Sequence, residues 1–168
     1  MNTKWTDFFA GYGVSVDGNK AYGEIDGYEI NANVNGFDTV APFRLHVTCF
    51  ATEEQKRVIG DILSSRKDRY FNYAFTRYGL SVGLGDFTMG KLLKRLPEVF
   101  GFLFSTLREQ GALGKGICPI CGKPIEEEQI KKCDLDGFTI TMDLGCATDL
   151  SAAIKKNKKE FDSAPNNY

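Results

Sequence analysis

Over the first fifty residues the polar and apolar positions alternate with a period of two. Val14-Ser15-Val16, Ala21-Tyr22-Gly23-Glu24-Ile25 and Tyr28-Glu29-Ile30-Asn31-Ala32-Asn33-Val34 each read as a strand with one apolar face. Asp17-Gly18-Asn19, Asp26-Gly27 and Asn35-Gly36 follow them, and these are turn signals that join antiparallel neighbours. Arg44 to Phe50, preceded by Pro42, reads as a further strand. Such closely spaced turns predict an antiparallel meander rather than a parallel sheet. Ahead of it, residues 1–11 predict a short amphipathic turn whose Trp5, Phe8 and Phe9 cap a core or touch a partner.

The period then changes to that of a helix. Thr52-Glu53-Glu54-Gln55 is a capping box, and Val58, Ile59, Ile62 and Leu63 form the core stripe of a helix ending near Lys67. Tyr70 to Thr76 reads as a strand. Gly79 to Thr88 is rich in glycine but has neither the Walker spacing nor the dinucleotide fingerprint. It predicts a strand-to-helix turn capped by Asp86 or Thr88. The helix beyond carries Leu92, Leu93, Leu96, Val99, Phe100, Leu103, Phe104 and Leu107, and Pro97 should kink it or start a new one. Phe100 to Phe104 is apolar on more than one side, which suits a buried central helix or a partner surface.

Gly111-Ala112-Leu113-Gly114-Lys115-Gly116 reads as a flexible joint. The expected fold is therefore α+β. An antiparallel-sheet domain with packed helices spans 1–110, a linker 111–116, a small zinc-ribbon- or treble-clef-like domain 117–162, and a tail 163–168.

Four of the five cysteines fall in that small domain: Cys118, Cys121, Cys133 and Cys146. Cys118 and Cys121 have the Cys-x2-Cys spacing that lets two thiolates bind one ion from a tight turn. Gly122 lets the chain turn sharply after them. Asp136-Gly137 then feeds the alternating Phe138, Ile140 and Met142, a strand that returns the chain toward the ion. Two geometries follow. In one, the hairpin brings Cys133 and Cys146 together and four cysteines hold a structural Zn(II). In the other, Cys146 opens the last helix and Asp149, three residues on, takes the position of the fourth ligand. Four cysteines are the favoured set, since they complete the site with soft donors. His46 is the single histidine and sits in an apolar strand, so a site with two cysteines and two histidines is excluded. Cys49 reads as a buried cysteine outside the cluster.

Composition bounds the rest. The net charge of −1 gives no global argument for a polyanionic partner, and no apolar run is long enough to cross a membrane. The N-terminus lacks the apolar core of a signal peptide, which leaves a cytoplasmic setting in which clustered cysteines bind metal rather than form disulfides. No catalytic constellation stands out, so the expected role is a non-enzymatic binding or regulatory module with a protein partner. The alternative is a nucleic-acid binder. Residues 51–116 carry eleven Lys/Arg against seven Asp/Glu, and Lys67, Arg69, Arg77, Lys91, Lys94 and Arg95 interleave with Tyr70, Phe71 and Tyr73. Cys-Pro-Ile-Cys also has the form of a dithiol redox motif. Pro124, Gly122 and two further cysteines argue against the strand-then-helix frame that motif needs.

Cys118-Pro-Ile-Cys-Gly, Cys133-Asp-Leu-Asp-Gly-Phe-Thr-Ile-Thr, Cys146 and the closing Ala164-Pro-Asn-Asn-Tyr together resemble an uncharacterised group of bacterial, mostly Gram-positive proteins. In that group a cytosolic part with a zinc-ribbon-like segment precedes glycine-rich membrane helices. The resemblance implies that these residues are the cytosolic part of a longer protein tethered to the inner face of the cell membrane. Lys155, Lys156, Lys158 and Lys159 would then lie toward the membrane.

Overall fold

A computed structural model of the chain describes residues 3–34, 42–66, 71–85 and 88–163. The N-terminal alternation is realised as a meander of β1 (Ser15–Asp17), β2 (Lys20–Ile25), β3 (Tyr28–Val34) and β4 (Phe43–Thr48). β5 (Asn72–Thr76) and β6 (Gly79–Leu84) extend it, giving the antiparallel order β1-β2-β3-β4-β6-β5. The β2–β3 turn works as its sequence demands. Asp26 and Gly27 both have positive φ, the backbone of a two-residue hairpin whose twist matches the flanking strands. The Asn35-Gly36 turn and the Asp86 cap lie outside the described residues.

The two faces of this sheet meet different layers. Tyr28, Ile30, Ala32 and Val34 of β3 and Phe43, Leu45 and Val47 of β4 enter one large core with the helices. Helix α1 (Thr3–Ala10) places Trp5 and Phe9, both fully buried, in that core. α2 (Glu53–Ser64) starts at the predicted capping box, with both reciprocal Thr52–Gln55 bonds present. α3 (Met89–Glu109), capped by Thr88, buries Leu92, Leu96, Val99, Phe100, Leu103, Phe104 and Leu107. It runs through Pro97 as one helix instead of restarting there. Interior proline costs about 3 kcal/mol, and seven large buried side chains at about 1.5–3 kcal/mol each outweigh it. Phe100 and Phe104 are thus core residues of the described chain rather than a partner surface.

The opposite face of the sheet presents Glu29 and Asn31 from β3 and Arg44, His46 and Thr48 from β4. A second, two-stranded sheet lies on it: β7 (Ile130–Leu135) and β8 (Phe138–Asp143), joined through Asp136 and Gly137, again with positive φ. α4 (Leu144–Ser163) follows β8 directly. Phe138, Ile140, Met142, Ala147 and Cys118 make a small core of their own. The architecture is α+β, with an antiparallel sheet and helices first and a smaller strand pair beside a cysteine cluster second.

The glycine-containing segment 111–116 is held at every second residue. Leu113 and Phe50 exchange both backbone bonds at 2.9 Å, and Lys115 N–H donates to Gly27 O at 2.8 Å. Tyr28 Oη donates to Ala112 O at 2.7 Å. At Gly114 a Cβ would stand 2.4 Å from Gly27 O, so this glycine permits close backbone approach. No helix among the described residues is long and apolar enough to cross a membrane.

Candidate metal centre

Three thiols converge where the second sheet ends. Cys118 and Cys121 come from a turn whose geometry is set by backbone bonds. Cys118 N–H donates to Lys123 O at 2.8 Å, Gly122 N–H to Cys118 O at 2.9 Å, and Ile125 N–H to Gly116 O at 2.9 Å. Gly122 closes the turn with φ +75°. Cys146 comes from the first turn of α4. That turn is fixed by Asp143, whose carboxylate accepts from Gly145 N–H at 2.9 Å, the bond a helix N-terminus needs. The Sγ atoms of Cys118, Cys121 and Cys146 all lie within 4.8 Å of one another. Cys118 is fully buried, Cys146 half-buried and Cys121 exposed.

Cys118 and Cys146 are shifted in opposite directions. Burial pushes the Cys118 thiol up, but N–H donors from Asp143, Cys121 and Ile120 outweigh it and hold the group below the usual thiol range. One of these bonds, Asp143 N–H to Cys118 Sγ, measures 3.4 Å. Cys146 is pushed up to about 12, first by burial and then by the neighbouring Cys118 and Cys121 sulfurs. Three sulfurs this close resist joint ionisation in the absence of positive charge, and a divalent ion reverses that balance. An all-sulfur donor set is the chemistry of zinc and other thiophilic metals. The residues therefore fit a metal site.

Comparisons with family models, with curated proteins and with solved structures return no match.

Cys133 is not among the three gathered thiols. The register of β7 sets it opposite Ile140, midway along the hairpin, and it packs against the small core. Cys146 reaches the turn because it lies just beyond the end of β8, beside Asp143. Asp149 is exposed and also stands outside the group. Cys49 is buried and stands outside the group of three, its thiol pushed up to about 12 by burial. His46 likewise stands outside the group of three sulfurs. It stacks on Phe138 at 5.7 Å between ring centres, and its Nε2 pairs with Thr76 Oγ1 at 3.0 Å.

The basic and aromatic residues of the middle segment are distributed. Lys91 and Lys94 are exposed on α3, while Arg95 donates to Gly85 O at 3.0 Å. Tyr73 donates its hydroxyl to Gly60 O at 2.9 Å, and Phe71 lies beneath the Arg66 guanidinium. Lys67, Arg69 and Tyr70 lie outside the described residues.

Two residues with no part in the cysteine pattern, Glu29 and Asn31, join the second strand pair to the large sheet. Asn31 bonds the backbone of Thr139. The Glu29 carboxylate accepts from Tyr22 Oη at 2.7 Å, Thr48 Oγ1 at 2.9 Å and Thr141 N–H at 2.8 Å, and also from Thr141 Oγ1. Their signal was polar residues at alternate positions of a strand whose apolar positions are all buried. Beside this contact lies a cavity of about 440 Å³, lined by Tyr22, Glu29, Thr48, Ile117, Ile125 and Lys132 among others. Its walls are mostly apolar and its floor carries the Glu29 network.

Proposed function

We propose that the chain is a non-enzymatic binding module whose second layer is stapled by one structural Zn(II). The turn with Cys118 and Cys121, the β7–β8 hairpin and the α4 N-terminus with Cys146 correspond in order to a treble-clef-like unit. The observation that carries the reading is the convergence of three Sγ atoms within 4.8 Å from two segments far apart in sequence. The backbone donors around Cys118 support it, because they stabilise thiolate charge in the way outer-shell groups of metal sites do. Zinc binding supplies folding energy to a unit whose own core is five buried residues, Cys118, Phe138, Ile140, Met142 and Ala147. The cavity between this unit and the sheet is the surface such a module offers, since ligand sites favour clefts between packed units with a few convergent polar groups.

Elemental analysis of protein purified without chelator or added metal tests the reading. One equivalent of zinc per chain is expected, falling to background in Cys118→Ser and in Cys121→Ser. Full retention of zinc in both variants would sink it.

A further inference from the structure

We infer that the metal of this site keeps one coordination position for a donor from outside the chain's cysteine cluster, and that a low-molecular-weight thiol is the ligand it takes. The inference rests on the metal site proposed above and concerns its fourth vertex. Zinc in a closed structural site has four protein ligands, whereas a site with three leaves a vertex for an exchangeable group. Among the described residues, no other histidine, cysteine, aspartate or glutamate belongs to the group of Cys118, Cys121 and Cys146. Asp149, one helical turn beyond Cys146, is exposed. Cys133 is held on β7 by its pairing with Ile140 and its contact with the small core.

Accessibility is compatible with an outside donor. Cys118 is fully buried, while Cys121 is exposed and Cys146 half-buried, so the group of three thiols is reachable from solvent. Three thiolates make the ion soft, and a soft centre prefers a sulfur donor over a carboxylate or an amine. The step is a ligand exchange without redox change. The thiol gives its proton to solvent, its sulfur binds the ion as thiolate, and the solvent ligand leaves.

Cobalt(II) loaded into the full chain provides the test, because thiolate-to-cobalt absorption scales with the number of bound sulfurs. The probe is 2-mercaptoethanol. Saturable addition should raise that absorption by about one third, from three sulfurs to four, with a shift in the visible bands. The same rise is expected in Cys133→Ser and in Asp149→Asn. A wild-type spectrum that already has four-sulfur intensity and ignores added thiol overturns the inference. So does a loss of about one quarter of the absorption in Cys133→Ser, a changed spectrum in Asp149→Asn, or a fall in absorption as the thiol strips the ion. The wild-type titration stands alone if either variant fails to fold. Absence of any cobalt–thiolate absorption overturns the metal site itself, which separates that failure from a closed four-ligand site.

Discussion

Asn31 and Thr139 are bonded to each other twice. Asn31 Nδ2 donates to Thr139 O at 2.7 Å, and Thr139 N–H donates to Asn31 Oδ1 at 2.8 Å. One side chain of the large sheet thus stands in for a neighbouring strand along the outer edge of β8. Among the described residues, no strand pairs with that edge on the side away from β7. Two positions along, the Glu29 carboxylate accepts from Thr141 N–H and Thr141 Oγ1. The period of two on β3 matches the period of two on β8, so the hairpin is docked in one register.

Asn31→Ala tests this docking. Asn31 is buried, with 5% of its surface exposed, and its removal leaves a backbone N–H and C=O without partners at the interface. The expected cost is about 1–3 kcal/mol. Denaturant unfolding with metal content monitored should register that loss while zinc stays bound, because no ligand is touched. Unchanged stability would mean that water replaces the amide without cost.

Glu29→Gln keeps the shape but replaces an oxygen that accepts two bonds with a donor. Its expected cost is about 1–3 kcal/mol. Tyr22 reports on the same network. Its hydroxyl is pushed up to about 12, first by burial and then by its bond to Glu29. A raised phenol gives stability that is complete below the ordinary value of 10.0 and lost as pH rises from there toward 12. In Glu29→Gln the Tyr22 titration, followed by NMR of labelled tyrosine, should move back toward lower pH. A titration that does not move would place the cause in burial alone.

The strands of the first fifty residues, their antiparallel meander, both Asp-Gly turns and the helix caps at Thr52 and Thr88 were legible because each is decided locally, whereas β6, read as part of a glycine-rich strand-to-helix turn, and its place between β4 and β5 were not. Period, turn chemistry and capping act over a few residues, and nothing in the tertiary structure opposes them. The joint at 111–116 was less legible. Its glycines carry the mark of flexibility, yet Gly114 is there because Gly27 O comes within 2.4 Å of where a Cβ would be. Sequence alone does not separate those two uses of glycine. The cysteine cluster was legible as a group. Which thiols converge depended on Asp143, whose backbone bonds Cys118 and whose carboxylate starts α4. The covering of the polar face of β3 and β4 is a nonlocal fact, and only the unusual burial of Asn31, His46 and Thr48 discloses it.

His46 should make the fold acid-sensitive. Burial first, and the Arg44 charge second, lower its ring to about 4 from the ordinary 6.5. Its Nδ1 is buried without a partner, so protonation there would create a charged N–H facing no acceptor. A depressed histidine contributes stability that is present above 6.5 and lost as pH falls toward 4, at most about 3 kcal/mol. Thiolates release metal in the same direction, so the measurement is a difference. Unfolding free energy against pH, for wild type and His46→Gln at matched metal content, should show the steeper loss in wild type. Parallel curves would remove His46 as the cause.

Gly122 sets the turn with Cys118 and Cys121 against Phe50, and a methyl group placed there tests that contact. Its φ is +75°, and an added Cβ would sit 2.6 Å from the Phe50 ring. The Phe50 backbone exchanges both bonds with Leu113, so relief of that contact must come from rotation of its ring. Gly122→Ala therefore combines left-handed backbone strain of about 1–3 kcal/mol with a steric contact. Gly116 isolates the first effect, since its φ is +83° and nothing lies within 4 Å of its Cβ position. Competition with a coloured chelator should show zinc affinity falling in Gly122→Ala by about tenfold to a hundredfold. The fall in Gly116→Ala should be smaller, and Phe50→Ala added to Gly122→Ala should recover part of the loss. Equal losses at the two glycines, with no recovery, would mean that the ring does not clamp the turn and that backbone strain alone sets the cost.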